Sequence, residues 1–132
     1  MNEPVWLSLE ECRACHAQLL ARFGGLDGIR DPGLLESALQ RPQNLWSYSN
    51  PSIFEMAAQY GHGIVKNHPF LDGNKRSGFL AAALFLETNG FLFSAPEPEA
   101  VLMTVDLASG KIEPELYARW LELNCVAVAD SD

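Results

Sequence analysis

The sequence predicts an all-α protein: one compact bundle of about six helices around a buried central helix. Three observations lead there. Helix-start signals recur, at Ser8 with Glu11, at Asp31 with Pro32, and at Ser52 with Glu55. Residues 79–86 form an unbroken apolar run, and a helix without a polar face is buried on all sides. The alternation that marks a half-buried strand is scarce.

The elements follow in order. Ser8 and Glu11 stand three apart as a capping box, opening a helix that runs to about residue 23, where Gly24 and Gly25 end it. Asp31 is an N-cap followed by proline at the first helical position, so a short helix covers residues 32–40 and Pro42 stops it. Residues 42–51 hold two prolines, two asparagines and two serines with Trp46 and Tyr48, and read as a loop carrying exposed aromatics, or a short hairpin. A second capping box, Ser52 and Glu55, opens a helix to about residue 66. The central helix covers residues 74–88 and stops at Asn89-Gly90. Residues 91–93 suit a short extended segment. Helices near 97–108 and 114–127 complete the wrap, and residues 128–132 form a tail. Trp6, Tyr117 and Trp120 are expected in or beside the core. No linker or repeat divides the 132 residues, so a single domain is expected.

Composition narrows the function. Hydrophobic residues make up 48% of the chain, enough for a packed core. The formal net charge is −8, opposite to the basic footprint of a nucleic-acid binder. The opening residues carry no basic, apolar leader, and the longest apolar run is too short to span a bilayer. A cytoplasmic protein with no membrane or direct nucleic-acid partner is the expectation. Cys12, Cys15 and His16 match a haem-attachment string. Without an export signal they read instead as two small apolar residues one helical turn apart, with His16 on the surface. His62 reads as a packing residue, since a metal role with His68 lacks further ligands.

The segment from His68 to Arg76, His-Pro-Phe-Leu-Asp-Gly-Asn-Lys-Arg, carries the chemistry. It leads into the N-terminus of the central helix, where unpaired N–H groups and a partial positive charge favour an anion. Gly73 removes the side chain where a phosphate would approach, so Gly73, Asn74 and Lys75 can offer backbone donors. Lys75 and Arg76 add charge, Arg76 in a fork that suits phosphate oxygens. Asp72 is a hard oxygen ligand for Mg²⁺ shared with substrate phosphates. His68 is a side chain able to take up a proton near neutral pH. Taken singly, His68 is a loop histidine and Asp72 a turn residue or cap. Together they form the inventory of phosphoryl or nucleotidyl transfer.

His68, Phe70, Asp72, Gly73, Asn74, Lys75 and Arg76 also fit a known signature. The segment resembles that of the Fic/Doc family, His-x-Phe-x-(Asp or Glu)-(Gly or Ala)-Asn-(Gly or Lys)-Arg. With six fixed residues at about one in twenty each, a chance match in this chain is on the order of 10⁻⁶. Residues 29–39 and Asn67 resemble the death-on-curing branch, and the likeness covers roughly residues 5–125. It implies an all-α Fic/Doc fold in which residues 42–51 form a small β-hairpin flap that positions the target chain. It implies His68 as general base, Asp72 as Mg²⁺ ligand, Gly73 and Asn74 as an anion hole, Arg76 on the nucleotide phosphates and Phe70 as a core anchor. AMP-transferring members carry Gly at position 75 and a second Arg at position 79, where this chain has Lys75 and Phe79. The death-on-curing branch has the lysine. For that branch the resemblance implies a toxin of a toxin–antitoxin pair that moves the γ-phosphate of ATP to elongation factor Tu and halts translation. AMP transfer, or an inactive antitoxin-binding module, are the alternatives. The inhibitory helix of some relatives, Ser or Thr, three residues, Glu, then Gly or Asn, is matched best at Ser109 to Glu113, but Pro114 follows. A separate Phd-like antitoxin is therefore the expected inhibitor, laying a segment that folds on binding into a groove.

Overall fold

The computed structural model describes residues 2–128. Six helices are described: α1 (Leu9–Phe23), α2 (Pro32–Tyr48), α3 (Ile53–Asn67), α4 (Asn74–Thr88), α5 (Glu97–Ser109) and α6 (Pro114–Leu123). Two short strands, β1 (Phe91–Phe93) and β2 (Cys125–Ala127), pair antiparallel with Leu92 opposite Val126. The all-α class is as the sequence predicts. No helix among the described residues is long and apolar enough to cross a membrane.

Local chemistry sets the helix starts. At α1 the Ser8 hydroxyl accepts the Glu11 N–H while the Glu11 carboxylate accepts the Ser8 N–H, and Ser52 and Glu55 repeat the exchange at α3. The Asp31 carboxylate accepts the Leu34 N–H at 3.0 Å to open α2. α4 lies at the centre, packed against α1, α3, α5 and β1. Its crossing with α3 is close because two glycines face each other. A Cβ on Gly78 would lie 2.8 Å from a Val65 methyl and 3.0 Å from the Gly61 carbonyl oxygen. Tyr60, Phe70, Phe85 and Tyr117 are fully buried around this crossing. The buried Tyr60 and Tyr117 hydroxyls are paired, to the Leu7 N–H and to Thr104, as buried polar groups must be. Trp6 is half-buried against Phe85, and Trp120 lies in the core.

Four local expectations change. Residues 42–51 do not form a hairpin: α2 continues through Pro42 to Tyr48. Proline removes one helical hydrogen bond and crowds the carbonyl four residues back, but Pro42 is fully buried, and packing against α3 holds the helix together. Trp46 is accordingly a half-buried helix residue, edge-on to Trp6 with ring centroids 6.5 Å apart, and only Tyr48, 75% exposed, stands out as an exposed aromatic. The two-stranded piece lies instead at the other end of the chain. There α6 stops at Leu123, and Cys125–Ala127 pairs with β1 instead of extending the helix. His16 is not on the surface: it is 4% exposed, on the α1 face that also buries Cys12 and Leu19. Most of the expected tail, residues 129–132, lies outside the described residues.

Candidate active site

The motif loop begins where α3 ends. His68 caps α3 in the left-handed conformation, φ 50° and ψ 54°, and is the non-glycine residue with positive φ among those described. That backbone costs about 1–2 kcal/mol for an L-residue, so something must hold it. Arg30 does. Its Nε donates to the His68 carbonyl at 2.6 Å and its guanidinium also donates to the Asn67 carbonyl at 2.8 Å. These are carbonyls at a helix C-terminus, which lack helical partners and favour a cation. The chain before α2 pairs with the same loop: the Arg30 and Asp31 N–H groups both donate to the Pro69 carbonyl, and the Leu71 N–H donates to the Gly28 carbonyl.

Asn74, the first residue of α4, pins the loop from inside. Its Oδ1 accepts the Phe70 N–H at 3.0 Å, and its Nδ2 donates to the Phe70 carbonyl at 3.0 Å. The Phe70 N–H can only donate, which fixes the orientation of the amide. The atom 3.2 Å from His68 Nδ1 is therefore the Asn74 nitrogen, so the neutral imidazole accepts at Nδ1 and carries its proton on Nε2. Phe70 is fully buried and stacks on His16, with centroids 3.8 Å apart and planes within 7°.

Asp72, Gly73 and Arg76 meet at a surface cavity of about 250 Å³ that Phe23, Gly24 and Gly25 help to line. Gly73 is the α4 N-cap at φ 76°, and its N–H donates to Asp72 Oδ1 at 2.9 Å. Asp72 Oδ2 accepts the Leu26 N–H at 3.3 Å. The carboxylate fits there because position 25 has no side chain: a Cβ on Gly25, itself at φ 122°, would lie 2.8 Å from Asp72 Oδ2. The Arg76 guanidinium lies 4.0 Å over the Phe23 ring, a cation–π contact that orients it. A second, larger cavity of about 490 Å³ lies between α1, α4 and α5. Its lining includes the charged side chains Arg22, Lys75, Arg76 and Glu97 and the apolar Phe23, Phe79, Leu80 and Val101.

The structure thus brings Asp72, Gly73 and Arg76 to one cavity, holds His68 and Asn74 together in the adjoining loop, and puts Lys75 in the neighbouring cavity, with Arg76 shared by the two. The Asn74 side chain faces inward, so only its backbone N–H remains to serve an anion. Among the described residues no three His, Cys, Asp or Glu side chains cluster as a metal cage. Burial pushes the Cys12 thiol up to about 12, in keeping with a packing role. Burial, with Arg41 and then Lys66 nearby, lowers the pKa of His62 from the usual histidine value. Sequence reasoning placed none of Arg30, His16, Gly25 and Phe23 at the site. For His16 a signal existed: Cys12, His16 and Leu19 follow the helical spacing of a buried face. Arg30 carries no such signal, since its partners lie 37 and 38 residues on.

The sequence profile of the Fic/DOC family matches residues 6–86, and the chain belongs to that family. It is 38% identical over 108 residues to the protein kinase Doc of Escherichia phage P1, an alignment that covers 80% of this chain and 84% of the relative. It is 39% identical over 77 residues to a toxin Doc of Mycolicibacterium smegmatis, covering 55% and 58%. A Fido domain-containing protein of Dictyostelium discoideum is 33% identical over 78 residues, covering 56% and 54%.

Proposed function

We propose that this chain is a Doc-like toxin that transfers the γ-phosphate of ATP to a hydroxyl of a target protein, elongation factor Tu being the target we favour. The observation that carries the reading is the convergence of Asp72, Gly73 and Arg76 on one cavity beside the His68 loop. The kinase name of the phage relative supports it. In the reaction, a bond forms between the target oxygen and the γ-phosphorus, the bridging bond to the β-phosphate breaks, ADP leaves, and the hydroxyl proton passes to His68. His68 is exposed, and taking that proton at Nδ1 would require its ring to turn away from Asn74, which now covers the lone pair. The start of α4 and the Arg76 guanidinium bind and orient phosphate oxygens.

The residues also fit Mg²⁺. Asp72 is an exposed carboxylate held, among the described residues, by two backbone N–H groups at the rim of the cavity, and one carboxylate plus substrate phosphates is a usual Mg²⁺ arrangement. Bound there, the ion would neutralise charge on the phosphate oxygens. Phe79 lines an apolar wall at the place where AMP-transferring relatives have a second arginine, which favours phosphate over AMP transfer. The larger cavity, with Arg22, Lys75 and Arg76 beside apolar α5, suits an antitoxin segment that covers the cations.

The test is the intact mass of elongation factor Tu after incubation with the protein, ATP and Mg²⁺. A phosphate-sized gain is expected, lost by about 10²- to 10⁴-fold in rate with His68→Ala. An AMP-sized gain would move the reading to AMP transfer. Growth arrest that persists unchanged in both His68→Ala and Asp72→Ala would mark a binding module instead.

A further inference from the structure

We propose that His16 is a positioning residue: from beneath the motif it fixes the Asp72–Gly73 peptide so that the Gly73 N–H faces the phosphate cavity. His16 comes from α1, far in sequence from the motif, yet its ring is buried under it. A buried imidazole is costly unless it is hydrogen-bonded, and His16 Nε2 meets the Asp72 carbonyl oxygen at 2.8 Å. A carbonyl only accepts, so Nε2 carries the proton and donates. The ring has little freedom to leave, because one face stacks on Phe70, whose own N–H and carbonyl are both held by Asn74. Gly73 sits directly above it: a Cβ there would lie 3.7 Å from His16 Nε2 and Cδ2.

The consequence follows from peptide geometry. The Asp72 carbonyl and the Gly73 N–H belong to one planar, trans unit and point in opposite directions. Drawing the carbonyl inward to His16 turns the N–H outward, where it now donates to Asp72 Oδ1. Glycine at φ 76° and ψ 20° is the residue at which such a peptide flips most freely, since glycine accepts either sign of φ. Flipped, the unit would set a carbonyl oxygen against incoming phosphate. His16 removes that alternative. It touches neither substrate nor the reacting atoms, and acts through Asp72 and Gly73. The link to nucleotide rests on the function proposed above, whereas the peptide orientation does not.

The experiment compares His16→Phe, His16→Gln and His16→Asn in the full chain. Phenylalanine keeps a ring on Phe70 and loses the donor; the glutamine amide reaches where Nε2 lies; the asparagine amide reaches only where Nδ1 lies. The first readout is the amide NMR position and hydrogen-exchange rate of Gly73 without ligand. The second is Mg-ATP affinity by calorimetry, beside kcat and KM. His16→Phe and His16→Asn should move the Gly73 amide and weaken Mg-ATP binding about tenfold, the worth of one hydrogen bond, with kcat at saturation little changed. His16→Gln should restore both. A Gly73 amide unmoved in His16→Phe overturns the proposal, and so does equal behaviour of the glutamine and asparagine variants. If His16→Phe does not fold, the glutamine–asparagine comparison decides. If the wild-type chain binds no Mg-ATP, the proposed function fails, and the Gly73 amide alone decides the role of His16.

Discussion

Replacing Asn74 with alanine should cost about 2–6 kcal/mol of stability. The side chain holds both backbone groups of Phe70, and Phe70 is fully buried, so water cannot replace the lost partners. A buried donor or acceptor left unpaired costs roughly 1–3 kcal/mol, and two are stranded here. At about 4 °C per kcal/mol for a chain of this size, the midpoint should fall by roughly 8–24 °C. Asn74→Asp separates the two bonds. It keeps an acceptor for the Phe70 N–H, but it loses the donor and sets a buried carboxylate oxygen against the Phe70 carbonyl. It should cost at least as much as alanine. Urea unfolding followed by tryptophan fluorescence measures both. A loss under about 1 kcal/mol for Asn74→Ala, or an Asn74→Asp variant as stable as the wild type, would refute the argument that Asn74 pins the loop.

Three further outcomes are expected. Arg30→Ala should lower target modification by about tenfold, as expected for a partly solvated charge-assisted contact, without changing nucleotide affinity; millimolar guanidinium should restore part of the rate, and equal concentrations of urea should not. Gly25→Ala should destabilise the fold by about 1–3 kcal/mol from its positive φ alone, and should raise the Mg²⁺ requirement because the new methyl meets Asp72 Oδ2; thermal unfolding and a Mg²⁺ titration report the two effects. Burial, with Glu87 nearby, pushes the Cys125 thiol up to about 11. Its iodoacetamide labelling at neutral pH should therefore be about a hundredfold slower than that of a free thiol, since only the thiolate reacts, and should rise steeply between about pH 9 and 11, as followed by mass spectrometry.

The candidate site's placement was legible because its residues are contiguous: residues 68–76 form one loop and one helix start, and both are set by local signals. The capping boxes at Ser8 and Ser52 and the apolar run at residues 79–86 of α4 were legible for the same reason. What escaped the sequence depends on tertiary contact. Pro42 reads as a stop because proline weakens an isolated helix, and only burial against α3 shows that α2 passes through it. Cys125–Ala127 continues a helical pattern locally, and its pairing with β1, over thirty residues earlier, makes it a strand. His16 and Arg30 reach the motif from α1 and from the turn before α2, and no local rule carries a side chain across that distance.

The central claim is phosphate transfer from ATP, and the position of the label in ATP tests it most directly. The protein would be incubated with Mg²⁺, a cell extract and ATP carrying radiolabel at either the α- or the γ-phosphate, with Asp72→Ala in parallel. The account predicts a labelled protein band from the γ-label, absent with the α-label and absent with Asp72→Ala. A band from the α-label and none from the γ-label would contradict it.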